Sequence, residues 1–391
     1  MRIEASVLAE GLRLVSRFLP SRPLLPVLGG VLISVRDGRV GLYGTDSEAG
    51  AEVILKVEGE EEAWEAVAPA GELGEIARSC QGETMALGWV DSGESRLLGV
   101  WVGNAEFNLS CIPPEDMPRV AAEGGKFRLC LPAPVLGASL EDVSFACSQD
   151  PVRPVLTGIR LVFGEGELEA LATDGYRVSL SRVATGSSLG AGGPQTFVLP
   201  GRALRELGRA LPEEGEVEVE VGEGVVSFRV SGPGLPPGWE GVRVSVRTME
   251  APYPNVLEIV PREYPTRARV ARESFASALS RVSVLSSSPE GKKSGSLPVR
   301  LEFLPPGSIV LAASSPGLGR AREVVEGEVE GRPVEVWFNE RFLREGVRAC
   351  RSPEVRLELS GSLSAARVSP LGGPEGREYM YVVMPMRPPE T

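Results

Sequence analysis

The chain has 391 residues, 42% apolar and 24% charged, with 53 acidic against 41 basic side chains, a formal charge of −12 and no histidine. That is the composition of a globular protein, and at about 100–200 residues per domain it predicts roughly two to four domains. The lack of histidine excludes Ser-His-Asp and Cys-His nucleophiles, imidazole bases and His metal ligands.

In chain order, the N-terminus carries Glu4, Glu10 and Arg13 where a signal peptide needs an unbroken apolar stretch. Residues 5–19 follow a helical pattern that presents Arg13 and Arg17. Gly30–Ser34 and Val40–Gly44 alternate with period two, as a hairpin does, and Thr45-Asp46 follows. Val67–Cys80 reads as a short strand running into a helix, with Arg78 beside Glu72 and Glu75. Pro118 then stands in EDMPRV.

The same order returns twice. A helix is expected at about 133–147, then a hairpin at Leu161–Phe163 and Leu168–Ala172. Thr173-Asp174 lies 128 residues after the first Thr-Asp, and the strand–helix segment Val198–Leu211 starts 131 residues after Val67. Glu216–Val221 and Val225–Val230 form another hairpin, and Pro254 lies 136 residues after Pro118. The last third gives a helix at about 273–285, the strand–helix segment Trp337–Cys350 and a hairpin at Arg356–Leu359 and Ala366–Ser369. The loops at 187–195 and 286–297 read as flexible. Repeats of this length predict three similar domains, 1–125, 126–262 and 263–391, each an α+β unit with two helices on about eight short strands.

Cys80, Cys111, Cys130, Cys147 and Cys350 are odd in number and lack CxxC spacing, so neither a zinc site nor a disulfide framework is expected, and no cofactor. No apolar run approaches the roughly 18–20 residues that span a bilayer, which points to a soluble cytoplasmic protein without a membrane partner.

The second helix of each repeat is the most informative. Leu204, Leu207 and Leu211 form one seam, and at 100° per residue Arg202, Arg205 and Arg209 fall opposite. Phe342, Leu343, Gly346, Val347 and Cys350 form the next apolar face, opposed by Arg341, Arg344, Arg348 and Arg351. One reading is a solvated helix face, since arginine is a good helix former. The other is a wall turned to a polyanion, because an acidic chain that recruits arginine repeatedly to matched positions is segregating charge.

Four motifs carry a resemblance to a known family. Tyr381-Val-Val-Met-Pro-Met-Arg387 resembles the C-terminus of the bacterial sliding clamps, the beta subunits of DNA polymerase III. Arg22–Gly29 is similar to the family's RPxLPxLxN segment, with Gly30 in place of Asn; Leu171–Val178 is similar to ATDGHRL, and Ala251–Asn255 to FPDY. The resemblance covers the whole chain in order. It implies the DNA clamp fold in three repeated domains, closing head to tail as a ring-shaped homodimer around double-stranded DNA, without catalysis of its own. Twelve helices spaced about 8–10 Å apart define a circle about 30–38 Å across. Subtracting one helix diameter of about 10 Å leaves roughly 20–28 Å, enough for a duplex about 20 Å wide. Retention would then be topological, and the arginines would cancel repulsion without gripping.

Residue by residue, the resemblance adds Arg22 and Gln149 to Arg13, Arg17, Arg78 and the two arginine rows as DNA-facing positions, although the aromatics that follow Gln149 in the family are replaced by Asp150–Val155. It implies a pocket between the second and third domains for short peptides of the replicative polymerase, the clamp loader and other replication and repair proteins. The matching residues are Thr173, Gly175, Tyr176, Arg177, Val178, Pro254, Ile259, Asn339, Phe342, Leu363, Val382, Val383, Met384, Pro385 and Met386. On its own, Val382–Met386 reads equally as a terminal core strand. Glu258 and the extension Pro388–Thr391 depart from the family. Ring closure would set Phe107 and Leu109 against Val284 and Leu285 of the other subunit. Two rival readings stand beside these. Asp46 and Asp174 form either an acid/base pair or turn chemistry, and the chain as a whole could be a peptide-binding scaffold without DNA. GKKS at 291–294 lacks the glycine a phosphate loop requires.

Overall fold

The computed structural model describes residues 1–391 apart from 58–61, 93–94, 123, 126, 165, 187–192, 287–297, 316–317 and 389–391. Most of the two loops read as flexible, 187–192 and 287–297, lies outside the described residues. The chain forms two compact units, Met1–Ala138 with Thr185–Met249, and Ser139–Ala184 with Glu250–Thr391. The middle repeat is therefore divided between them.

In the first unit, α1 (Ala5–Val15) buries Leu8, Leu12 and Val15 at the spacing of a single face. Gly11 lets that face approach closely, since a Cβ there would come within 2.9 Å of Leu42. The α-helical part stops short of residue 19: a 3-10 turn, Ser16–Phe18, follows, and Leu19 is extended ahead of Pro20. Helix α2 (Ala70–Ser79) starts directly from strand Trp64–Pro69, and proline supplies the switch. An eight-stranded antiparallel sheet runs in the order 64–69, 30–36, 39–45, 49–56, 239–247, 225–231, 216–221, 127–132. Its centre joins strand Ala49–Lys56 to strand Trp239–Arg247, so strands from two repeats make one sheet. A second sheet of four strands holds 2–4, 84–92, 95–102 and 105–110. Helix α3 (Ala133–Ser144), whose residues are divided between the units after Ala138, is shorter than expected, and Ala146 and Cys147 continue as turns on Val143 and Ser144. Helix α4 (Gly201–Ala210) again leaves its strand, Gln195–Pro200, at a proline.

The second unit repeats the plan. Strands 158–164, 167–173, 177–184, 377–383, 366–371, 354–359, 266–271 and 328–331 lie side by side in that order. Strand Arg177–Ala184 pairs with Arg377–Val383, Val178 opposite Val382, the counterpart of the 49–56/239–247 pairing. Helices α5 (Arg272–Ser286) and α6 (Glu340–Ala349) pack together over a core of Phe275, Leu279, Phe303, Phe338, Leu343, Val347 and Tyr381. Gly346 is obligatory there: a Cβ would stand 2.1 Å from the Tyr381 ring. The predicted hairpins all form in these sheets.

Candidate nucleic-acid and partner interfaces

Both arginine rows form opposite a buried seam, although α4 ends at Ala210 and leaves Leu211, expected in that seam, extended and half-buried. On α4, Ala203, Leu204 and Leu207 are buried, leaving Arg202 and Arg209 exposed and Arg205 half-buried. On α6, Leu343, Gly346 and Val347 are buried, with Arg341 and Arg348 exposed, Arg344 half-buried and Arg351 exposed just beyond the helix. The rows are not uniformly free charge. Arg202 lies 3.1 Å from Asp46 and donates to the carbonyls of Arg17 and Leu19. Glu206 sits 3.5 Å from Arg17 and 2.7 Å from Arg209. Arg344 holds Glu340, only 1% exposed. Arg351 pairs with Glu141 and approaches Asp142 at 3.6 Å. Arg341 lies over the Phe342 ring, 5.3 Å from its centroid. Arg13, Arg22, Arg78 and Arg348 are exposed and form no ion pair with another described residue. Gln149 is exposed on the loop after α3.

The two Thr-Asp motifs are one turn built twice. Thr45 Oγ1 donates to the Ala49 carbonyl at 2.7 Å and accepts from Ser47 N, while Asp46 Oδ1 accepts from Glu48 N and Ala49 N. Thr173 Oγ1 donates to the Arg177 carbonyl at 2.6 Å and accepts from Gly175 N, and Asp174 Oδ1 accepts from Tyr176 N and Arg177 N. The carboxylates are engaged in holding backbone amides, which is turn chemistry.

In the second unit this turn carries the candidate pocket. Arg177, 5% exposed, does not line a surface. Its Nε donates to Asp174 at 2.9 Å, Nη1 to Glu345 and Nη2 to the Phe145 carbonyl at 2.6 Å, with the guanidinium carbon 4.2 Å from the Phe342 ring centroid. It clasps the turn to α6, a role the sequence could not show because Glu345 lies 168 residues away. Thr173, Val178, Val382 and Val383 are buried as well, with Leu171, Leu180 and Ala365, and Tyr253, Val256 and Leu257 packed alongside. Above this floor stand Tyr176 (66% exposed), Leu363 (72%), Ile259 (51%) and Met384 (37%). Pro254 is exposed, Phe342, Pro385 and Met386 are half-buried, and Gly175 takes φ +90°, which favours glycine. Met384 N donates to the Tyr176 carbonyl at 2.8 Å and Met386 N to Trp337 O at 2.7 Å, which fixes the tail. Val382–Met386 is thus both things at once: core up to Val383, surface from Met384. Asn339 caps α6 by accepting from Arg341 N and Phe342 N.

The first unit repeats these bonds without the apolar wall. Arg247 N donates to the Glu48 carbonyl at 2.9 Å and Met249 N to Val198 O at 2.8 Å. Glu48 and Arg247 therefore stand where Tyr176 and Met384 stand, and the short connection Gly222–Gly224 replaces Ser360–Ala365, which carries Leu363.

A separate cleft of about 710 Å³ is lined by arginines and glutamates including Arg267, Arg269, Glu328 and Arg367. Glu358, 3% exposed, bridges Arg267 and Arg367 there, and Arg269 pairs with Glu328 and Glu354. Phe107 and Leu109 share one side of Ala105–Ser110, the edge strand of its sheet. Val284 (67% exposed) and half-buried Leu285 lie in the last turn of α5, and Gly319–Glu326 is an edge strand of its own sheet. Among the described residues no group of three His, Cys, Asp or Glu could hold a metal ion, and no helix is long and apolar enough to cross a membrane.

Residues 1–121, 131–236 and 257–387 match, in that order, the N-terminal, central and C-terminal domains of the DNA polymerase III beta subunit. The chain is 28% identical over 389 residues to the beta sliding clamp of Synechococcus elongatus, covering 97% of each. It is 28% identical over 399 residues to that of Streptomyces coelicolor, covering 99% of each. Among solved structures it is similar to the DnaN sliding clamp of Pseudomonas aeruginosa, with a TM-score of 0.86, 27% identity and 99% of both chains covered. With all three domain types in register along its length, the chain belongs to the DNA polymerase III beta subunit family, the bacterial sliding clamps, and works as a DNA sliding clamp for that polymerase.

Proposed function

We propose that two copies of the chain close head to tail into a ring that duplex DNA threads, with the arginine-bearing helices along the passage, and that the ring itself catalyses no reaction. The carrying observation is the recurrence of exposed arginines opposite the buried seam on α4 and α6 in a chain of charge −12. Edge strand Ala105–Ser110, with Phe107 and Leu109, and the exposed end of α5, with Val284 and Leu285, are surfaces suited to closing it. The exposed group Tyr176, Ile259, Leu363 and Met384 would receive an extended peptide with apolar anchors, from the polymerase catalytic subunit, the clamp loader or other replication and repair proteins. The flexible thioethers of Met384 and Met386 suit several related sequences. Glu258, exposed one residue before Ile259, would select against acidic flanks.

Loading the protein on a nicked circle and then linearising the DNA tests this reading. Retention on the circle and loss from free ends is expected. Retention after linearisation would mean direct gripping, and failure to stay on the circle would leave a peptide-binding scaffold.

A further inference from the structure

The arginine–glutamate cleft of about 710 Å³ lies wholly in the second unit, on one face of strands 328–331, 266–271, 354–359 and 366–371. Strand register sets its polar side chains in two rows. Glu330, Arg267, Glu358 and Arg367 form one, and Glu328, Arg269, Arg356 and Ser369 form the other. In the second row two arginines stand directly opposite one another, an arrangement that costs energy in a sheet. The other repeats avoid it. Three residues before the first helix of each repeat, the facing pair is Arg2 with Ala86 in the first and Cys130 with Glu218 in the second.

Most of these charges are answered within the cleft. Arg269 has Glu328 at 3.5 Å and Glu354 at 2.6 Å. Glu358 meets Arg267 and Arg367, and the Arg367 guanidinium also lies 4.8 Å from the Tyr264 ring centroid. Two exposed lining charges form no ion pair with another described residue, Arg356 and Glu330. They sit two strands apart across the sheet and two residues apart along it, about 12 Å by strand spacing and rise.

We propose that this cleft is a further partner-docking surface, which takes an extended peptide carrying one carboxylate side chain and, four positions along, one cationic side chain. In an extended chain such residues share a face and lie about 13 Å apart, so the carboxylate meets Arg356 while the cation meets Glu330. The incoming carboxylate also relieves the repulsion between Arg269 and Arg356, which gives that unfavourable pair a use. The glutamates that share the lining disfavour a polyanion, and no aromatic ring among the described lining residues stacks a nucleotide base. None of the exposed apolar group Tyr176, Ile259, Leu363 and Met384 lines the cleft, so the two surfaces ask for different peptides.

The test adds the full chain to a synthetic peptide of glycine and serine with one glutamate and, four positions later, one arginine, and follows NMR line broadening of the peptide. At low salt the glutamate and arginine side-chain signals should broaden, and added salt should sharpen them again. Arg356→Glu should weaken binding at least about tenfold, and a peptide with lysine in place of the glutamate should bind that variant better than the unaltered chain. Glu330→Lys gives a second variant at the other end, with the same loss expected, and circular dichroism shows that each is folded. Absence of broadening would overturn the proposal. Broadening that neither substitution changes would overturn it too, since arginines elsewhere would then hold the peptide. Retention on circular DNA is read separately and depends on neither substitution.

Discussion

At the scale of single residues, the buried charges decide what can be changed. Asp142, 1% exposed, accepts from Ser181 Oγ at 2.9 Å and pairs with Arg377, itself 9% exposed. Asp142→Asn keeps the shape but strands a buried guanidinium, so a loss of about 3–5 kcal/mol is expected from urea denaturation. Arg177→Ala should cost about as much by the same logic, leaving the largely buried Asp174 without its nearest cation. Cys350 is fully buried, and burial beside Asp142 pushes its thiol up to about 12. Below about pH 8 the thiol is neutral whether the chain is folded or not. Between pH 9 and about 12 only the unfolded chain ionises, so stability should fall as pH rises through that window. Replacing Cys350 by Ala should make the fall between pH 8 and 10.5 shallower, measured by thermal melts. Tyr379 and Tyr381, pushed up by burial too, keep part of the slope in either protein.

At the scale of elements, α6 serves two surfaces. One face carries Arg341, Arg344 and Arg348, and Phe342 and Glu345 tie the helix to the Thr-Asp turn through Arg177. Because Arg202 already satisfies Asp46 and two carbonyls, Arg202→Ala should unsettle the turn yet change the salt dependence of DNA binding little. Arg348→Ala and Arg78→Ala remove cations that pair with no other described residue and should each lower the slope of log K against log salt, by up to about 0.9 per phosphate contact. At the tail, a deletion of Met384–Thr391 begins just beyond the last core residue, Val383. Peptide binding and polymerase stimulation should be lost while the protein stays folded and dimeric in analytical ultracentrifugation. An unaffected deletion variant would refute the pocket.

At the scale of the molecule, one fold is used three times and its copies have diverged in surface chemistry. Peptide titration should therefore saturate at one site per chain, since the junction of Glu48 and Arg247 repeats the hydrogen bonds of the junction of Tyr176 and Met384 with charged walls. A stoichiometry of two, by calorimetry, would show that the backbone scaffold alone makes the site. Net charge −12 belongs to this scale as well: an acidic protein that must admit DNA needs cations only where the duplex passes.

Much of this was legible along the chain. Period-two and period-3.6 patterning set the hairpins and helices, because each element has one buried face, and the repeated Thr-Asp pairs could be read as turns because their bonds close within four residues. The family was readable from the tail and the turn motifs, where sequence and local geometry coincide. Only the tertiary structure decided which arginines are spent on neighbours, that Arg177 is a clasp and that Glu340 is buried, for those outcomes depend on partners in other elements. The same holds for the two compact units that cut through the middle repeat: strand 49–56 pairs with 239–247, and 177–184 with 377–383, across nearly two hundred residues of chain. Local periodicity records which face of a strand is buried, but the identity of its neighbour is settled by packing.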